Sequence, residues 1–188
     1  MELIAKIQED LKQMLSPKRY IHSVGTMQYA KQLAKQYGED IQKAALAGLT
    51  HDIAKELPQE EAIQYAQKNA IPVNQIEAEN PGLLHGKIGA HIVKQKYHFS
   101  QDMQNAIAYH TTGNPKMDTL AKIVFIADKA EKNRKYDDVE TVRKLAKQDL
   151  DTCMLYILDF TIKKNIEKEK TICVESILTR NEILLDRR

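Results

Sequence analysis

Apolar residues recur along this 188-residue chain at helical spacing, and no segment sustains the period-two alternation of a half-buried strand. The pattern predicts an all-α fold. Leu3, Ile4, Ile7, Leu11, Met14 and Leu15 mark one amphipathic helix. Ser16-Pro17 then offers an N-cap followed by proline at the first helical position, where its missing N–H costs nothing. Gly38 is expected to end that second helix. A third helix is predicted over 40–57, rich in small residues that permit deep packing, and Pro58 opens a fourth over 58–69. Between 70 and 86, Ile71-Pro72, Asn80-Pro81-Gly82 and Gly86 break the chain into short turns, which places His85 at a loop-to-helix junction. Further helices are predicted over 87–97, 101–109, 118–132, 139–167 and 174–185.

The length suits one domain over residues 1–188, large enough for its own core. A formal net charge of +2 with acids and bases interspersed lacks the single-sign field of a protein that coats nucleic acid. No nucleic-acid partner is expected, and any anionic ligand must be bound locally. Cys153 and Cys173 form no Cys-x-x-Cys pair, so they read as reduced thiols and exclude a thiolate zinc site. The first ten residues carry acids and no continuous apolar core, unlike a signal peptide. Apolar runs such as Ile123-Val124-Phe125-Ile126-Ala127 fall far short of the roughly 20 residues a membrane helix needs. No membrane association is expected, and the cytoplasm is the expected location. Helical surfaces within 139–166 can serve either a homodimer or the bundle core.

The chemistry-bearing residues are His22, the adjacent pair His51-Asp52, and then His85, His110 and Asp128 at wide intervals. Imidazole and carboxylate together suit borderline divalent metals, which turn water into a nucleophile near neutral pH. A His-Asp dipeptide alone is weak evidence. Its setting is stronger, because it follows the run Ala44-Ala45-Leu46-Ala47-Gly48-Leu49-Thr50, where a bare carboxylate is costly unless paired or metal-bound. The bland alternative is a cap or a surface ion pair. Asp128 follows Leu120, Ile123, Val124, Phe125, Ile126 and Ala127 in a helix expected to be buried. It therefore needs a partner, either a metal or one of Lys129, Lys132 and Arg134. His91 and His98 lack comparable settings and read as structural or surface residues.

In order along the chain, these segments resemble the HD superfamily of metal-dependent phosphohydrolases. The stretches Leu49-Thr50-His51-Asp52-Ile53-Ala54-Lys55-Glu56-Leu57, Leu84-His85-Gly86-Lys87-Ile88-Gly89-Ala90, Tyr109-His110-Thr111-Thr112-Gly113 and Ile126-Ala127-Asp128-Lys129-Ala130-Glu131-Lys132-Asn133-Arg134 are most similar to its branch of bacterial symmetrical bis(5′-nucleosyl)-tetraphosphatases. The resemblance covers nearly the whole chain and implies an HD-type helical bundle.

It further implies that His22, His51, Asp52 and Asp128 hold a principal metal, iron by family preference, with manganese or another divalent ion compatible with nitrogen and oxygen donors. One or two ions are compatible with it. His85 and His110 either complete a second metal position or bind phosphate and protonate the leaving group. Asp52, His85, His110 and Lys55 are thus the expected catalytic residues. Contacts to a nucleotide substrate are expected from His22, Lys55, His85, His110, Thr111, Thr112, Asp128, Asn133 and Arg134. Lys55 lies one turn beyond His51 and Asp52 on the predicted helix, although it can equally pair with Glu56 or Glu60. Arg134 offers a planar fork for phosphate, and the Thr111-Thr112-Gly113 turn offers hydroxyl and backbone donors. The implied reaction is symmetrical cleavage of diadenosine tetraphosphate into two nucleoside diphosphates. The alternatives are an HD-type nucleotidase or cyclic-dinucleotide phosphodiesterase, or a noncatalytic nucleotide-sensing module.

Overall fold

Local signals set most helix ends in the structure, a computed structural model that describes residues 2–187. The first helix, α1 (Glu2–Met14), buries Ile7 and Leu11. Ser16 caps α2 (Pro17–Tyr37) by accepting a hydrogen bond from the Arg19 amide, and α2 ends where Gly38 adopts a left-handed φ of 71°. Asp40 caps α3 (Ile41–Thr50) by accepting from the amides of Gln42 and Lys43. The two helices approach closely at Gly48, where a Cβ would lie 3.1 Å from the Ala30 Cβ and 3.2 Å from the Met27 Cα.

The third helix stops at Thr50 and does not run to residue 57 as its composition predicts. Beyond it the backbone tightens into turns, with Ile53 N bonded to Thr50 O at 3.0 Å and Lys55 N to Asp52 O at 2.9 Å. The cause is local: Nδ1 of His51 takes the Gly48 carbonyl at 2.8 Å, the acceptor that the next helical amide would need.

Pro58 precedes α4 (Gln59–Lys68), and an Asn74–Glu77 capping box starts the short α5 (Gln75–Glu79). A 3₁₀ turn over Pro81–Leu83 leads into α6 (His85–Tyr97), so His85 sits at the junction that its flanking glycines and proline predict. Then follow α7 (Gln101–Tyr109) and α8 (Thr119–Ala130), the latter capped by Asp118. The predicted 139–167 helix is two, α9 (Val139–Ala146) and α10 (Leu150–Glu167), because Asp149 leaves helical geometry to accept from the Thr152 amide and hydroxyl at 2.7 and 2.6 Å. Last comes α11 (Val174–Leu185). Among the described residues there is no strand, so the fold is all-α.

Helix α8 is the axis of the bundle. Leu120, Ile123, Val124, Phe125, Ile126 and Ala127 are all buried in the main core, and α8 packs on α2, α3, α7, α9 and α10. A smaller cluster of Ala54, Ala62, Ala66, Leu84 and Ile88 seats α4 beneath α6. This packing fixes the C-terminal ends of α3, α7 and α8 around one point.

Candidate metal centre

The convergence is visible in atom pairs. His22 Nε2, on α2, lies 3.0 Å from Asp128 Oδ1 near the end of α8 and 3.2 Å from His51 Nε2 at the end of α3. Asp52 Oδ2 is 3.3 Å from His51 Nε2 and 3.7 Å from His22 Nε2, and His51 Nε2 is 3.7 Å from Asp128 Oδ1. Ligand atoms held about 2.1 Å from one ion stand roughly 3.0–3.4 Å apart at octahedral or tetrahedral angles and farther apart at wider ones, so donors spaced 3.0–3.7 Å can share a divalent cation. The groups His22-His51-Asp128 and His51-Asp52-His110 each offer ligand atoms within 4.8 Å of one another.

The other oxygen of Asp52 faces a second cluster. Asp52 Oδ1 lies 3.3 Å from His85 Nε2 and 3.5 Å from His110 Nε2, and those two nitrogens are 3.0 Å apart. The Thr111 hydroxyl sits 3.2 and 3.1 Å from them. One carboxylate therefore joins two sets of imidazoles.

Each ring is oriented through its other nitrogen. Nδ1 of His51, His85 and His110 lies 2.8, 2.7 and 2.7 Å from the carbonyls of Gly48, Gly82 and Ile107, three residues back in each case. Nδ1 of His22 faces the Glu131 carboxylate at 3.2 Å. A carbonyl or carboxylate acceptor holds the proton on Nδ1 and leaves the Nε2 lone pair aimed into the centre. His51 and His110 also cap the C-termini of α3 and α7, whose partial negative charge favours a cation nearby.

Both carboxylates are almost fully buried. Burial pushes the Asp52 carboxyl up, but His51, His110 and His85 outweigh it and hold the group well below the usual range. Burial acts likewise on Asp128, against the stronger pull of Lys129, His22, His51 and Arg134. Burial pushes the His110 imidazole down to about 4, and pushes His85 down as well despite its bond to Asp52.

Other expected residues fall at different distances from this centre. Lys55 reaches it, with Nζ 3.4 Å from His85 Nδ1, although a tight turn and not a helix carries it there. Its alternative partner Glu56 instead accepts from the Ser16 amide and hydroxyl at 2.5 and 2.6 Å. Arg134 donates Nε to the Asp128 carbonyl at 2.6 Å and Nη2 to the Asp128 carboxylate, so two of its three nitrogens brace the aspartate. Of the three cations predicted as partners of Asp128, Lys129 and Arg134 pair with it and Lys132 is exposed. Thr112 turns away, its hydroxyl donating to the Gly113 carbonyl at 3.1 Å, because Ser176 of α11 takes the Thr112 carbonyl and holds the turn. Asn133 lines a cleft of about 600 Å³ beside His22, together with Arg19, Ile21, Glu56 and Arg134. His91 pairs with the Tyr65 hydroxyl at 3.0 Å, and exposed His98 ends α6.

Two contributors have no assigned role in the sequence reading. Arg19 donates Nη1 to Asp52 Oδ2 at 2.7 Å, and its only sequence signal is its place one turn before His22. Glu131 is buried against His22, and Asn133 N donates to its second oxygen at 2.7 Å. Room for it exists because residue 25 is glycine: a Cβ there would run into the Glu131 carboxylate, 2.9 Å from its Cδ. Helix α8 ends at Ala130, short of the predicted 132, because Glu131 swings to ψ 155° and turns its side chain back toward α2.

Comparison with known proteins identifies the family of the chain. The HD domain family model matches residues 19–133. A Bacillus subtilis protein named symmetrical bis(5′-nucleosyl)-tetraphosphatase is 37% identical over 172 residues, 91% of this chain and 92% of the relative. A Halalkalibacterium halodurans protein of the same name is 37% identical over 179 residues, 95% of each chain. The crystal structure of a Clostridium acetobutylicum protein, described as a predicted HD superfamily hydrolase involved in NAD metabolism, superposes with a TM-score of 0.95 at 39% identity over 98% of both chains. Among the described residues no helix is long and apolar enough to cross a membrane. With the family model spanning most of the chain and the relatives matching it end to end, the protein belongs to the HD domain family of hydrolases.

Proposed function

We propose that this protein is a metal-dependent hydrolase that cuts diadenosine tetraphosphate and related dinucleoside polyphosphates in the middle, releasing two nucleoside diphosphates. The observation that carries the reading is the paired centre joined by Asp52, in a chain 37% identical over nine-tenths of its length to proteins of that name. We read residues 1–188 as one domain, since α10 packs on α8 and α11 on α10 beyond the segment that the family model matches.

His22, His51, Asp52 and Asp128 are the ligands of the principal ion. Iron is the expected metal, and manganese or another divalent ion suits the same donors. Bound there, the cation supplies Lewis acidity toward a phosphoryl oxygen and lowers the pKa of water. His85 and His110, kept neutral by burial and with their Nδ1 protons given to backbone carbonyls, serve better as ligands of a second ion than as proton donors. Lys55 and the Thr111 hydroxyl border this second cluster, where they orient phosphate and stabilise charge that spreads in the transition state. Arg134 braces Asp128 and, with Asn133, lines the cleft that receives one end of the substrate. The half-buried or buried free thiols suit the cytoplasm.

Incubation of the iron- or manganese-loaded protein with diadenosine tetraphosphate, followed by anion-exchange chromatography, tests the reading. ADP as the sole product supports it. ATP with AMP overturns symmetrical cleavage, orthophosphate points to a nucleotidase, and binding without turnover points to a sensing module.

A further inference from the structure

A second cleft, of about 280 Å³, shares Arg134 with the first and is lined by Lys129, Tyr136, Asp138, Tyr156, Phe160 and Lys164 among others. Its walls come from α8, the loop after it, α9 and α10, elements that supply Asp128 but none of the other expected metal ligands. The Tyr136 and Phe160 rings stack with centroids 6.3 Å apart and 25° between planes, and Lys164 Nζ lies 5.4 Å from the Phe160 centroid. The Tyr136 hydroxyl donates to the Lys129 carbonyl at 2.9 Å, which fixes this aromatic wall to the helix that carries Asp128.

Two features specify the ligand. Half-buried aromatic faces beside three cations and one carboxylate suit a flat heterocycle carrying negative charge, with Asp138 able to accept from an exocyclic amine. Lys129 and Arg134 line the cleft and also pair with Asp128, so two of its cations lie one side chain away from a candidate metal ligand. Arg134 lines both clefts. A substrate with two identical ends offers a nucleoside to each of two clefts that share one arginine. The volume is near the lower limit of small-molecule sites, enough for a base but not for a whole dinucleotide.

Resting on the dinucleoside reading above, we propose that the Tyr136–Phe160 cleft is the second nucleoside subsite, that the cleft beside His22 and Ile21 is the first, and that Arg134 stands between them against the polyphosphate.

Calorimetric titration of ADP into the metal-loaded protein tests this. Wild type is expected to bind two ADP per chain. Phe160→Ala is expected to bind one, and to raise KM for diadenosine tetraphosphate about tenfold, equivalent to about 1.4 kcal/mol, with kcat within twofold. Lys164→Glu, at an exposed position that does not threaten folding, should weaken the second ADP roughly fivefold, and more at low salt. A single ADP per chain in wild type, or two of unchanged affinity in both variants, overturns the subsite. Two ADP bound by a protein that leaves diadenosine tetraphosphate uncut would instead remove the activity and keep the subsite.

Discussion

Glu131 Oε1 stands 3.2 Å from His22 Nδ1, joining the residue just past α8 to a ring on α2 across 109 positions of sequence. An acceptor on Nδ1 fixes the tautomer and raises the basicity of Nε2, and loss of such a partner typically costs 10–100-fold in metal affinity. Glu131→Ala should therefore bind metal roughly 10–100-fold more weakly while every proposed ligand remains. Metal content after dialysis against a graded chelator series measures this; retention equal to wild type would sink the assignment. Gly25→Ala, which drives a methyl group into the same carboxylate, should reproduce the defect.

Asp52 and His110 should separate by phenotype. Asp52 contributes an oxygen to each cluster, so Asp52→Ala should abolish both metal retention and turnover. His110 meets Asp52 at Oδ1 and not at the Oδ2 that faces His22 and His51, so His110→Ala should slow turnover at least about 100-fold and keep the principal ion. Elemental analysis paired with product assays decides, and equal metal content in wild type and Asp52→Ala contradicts the ligand assignment.

Away from the site, the Tyr97 hydroxyl on α6 donates to Asp10 on α1 at 2.7 Å, and Lys96 pairs with the same oxygen at 2.9 Å. The Tyr97 and Lys96 bonds pull the Asp10 carboxyl below its usual range. A carboxyl whose folded pKa is depressed adds stability that is present above its unfolded pKa, near 3.8, and lost as pH falls through the folded one. Tyr97→Phe should thus cost about 1 kcal/mol at pH 7, a low value because Asp10 is solvated, and the difference should shrink below about pH 4. Urea denaturation across pH tests the sign; a gap that widens in acid would refute it.

Burial pushes the Cys153 thiol up to about 12, and its side chain is sealed in the core, whereas Cys173 is half-buried. Ellman's reagent at pH 8 should label one thiol in the native protein and two in denaturant. Rapid labelling of both in the native state would contradict the packing of α10.

Several features were readable from short stretches of sequence because their causes are local. Ser16-Pro17, Gly38 and Asp40 set helix ends through bonds to residues a few positions away. Asp128 stood out because six apolar residues before it announce a buried helix, which α8 is. The structure departs from local preference where a side chain competes with the backbone. Composition alone extends α3 to residue 57, but the His51 ring captures the Gly48 carbonyl and stops it. Helical periodicity likewise runs through 139–167, and Asp149 interrupts it by capping a new helix. Thr112 shares a turn with Thr111, yet only Thr111 meets the imidazoles, since the bond from Ser176 on α11 decides how that turn sits.

By itself, the sequence determined that the chain is a bundle of helices and which nitrogen and oxygen donors are available to it. Periodicity, caps and residue types act over one or two turns. Only the tertiary structure decided that donors at positions 22, 51, 52, 85, 110 and 128 share one centre, that each imidazole presents Nε2, and that Glu131 and Arg19 support them. Those outcomes depend on how α2, α3 and α7 pack around α8, a matter of surfaces meeting across the whole chain and not of any segment's own preference.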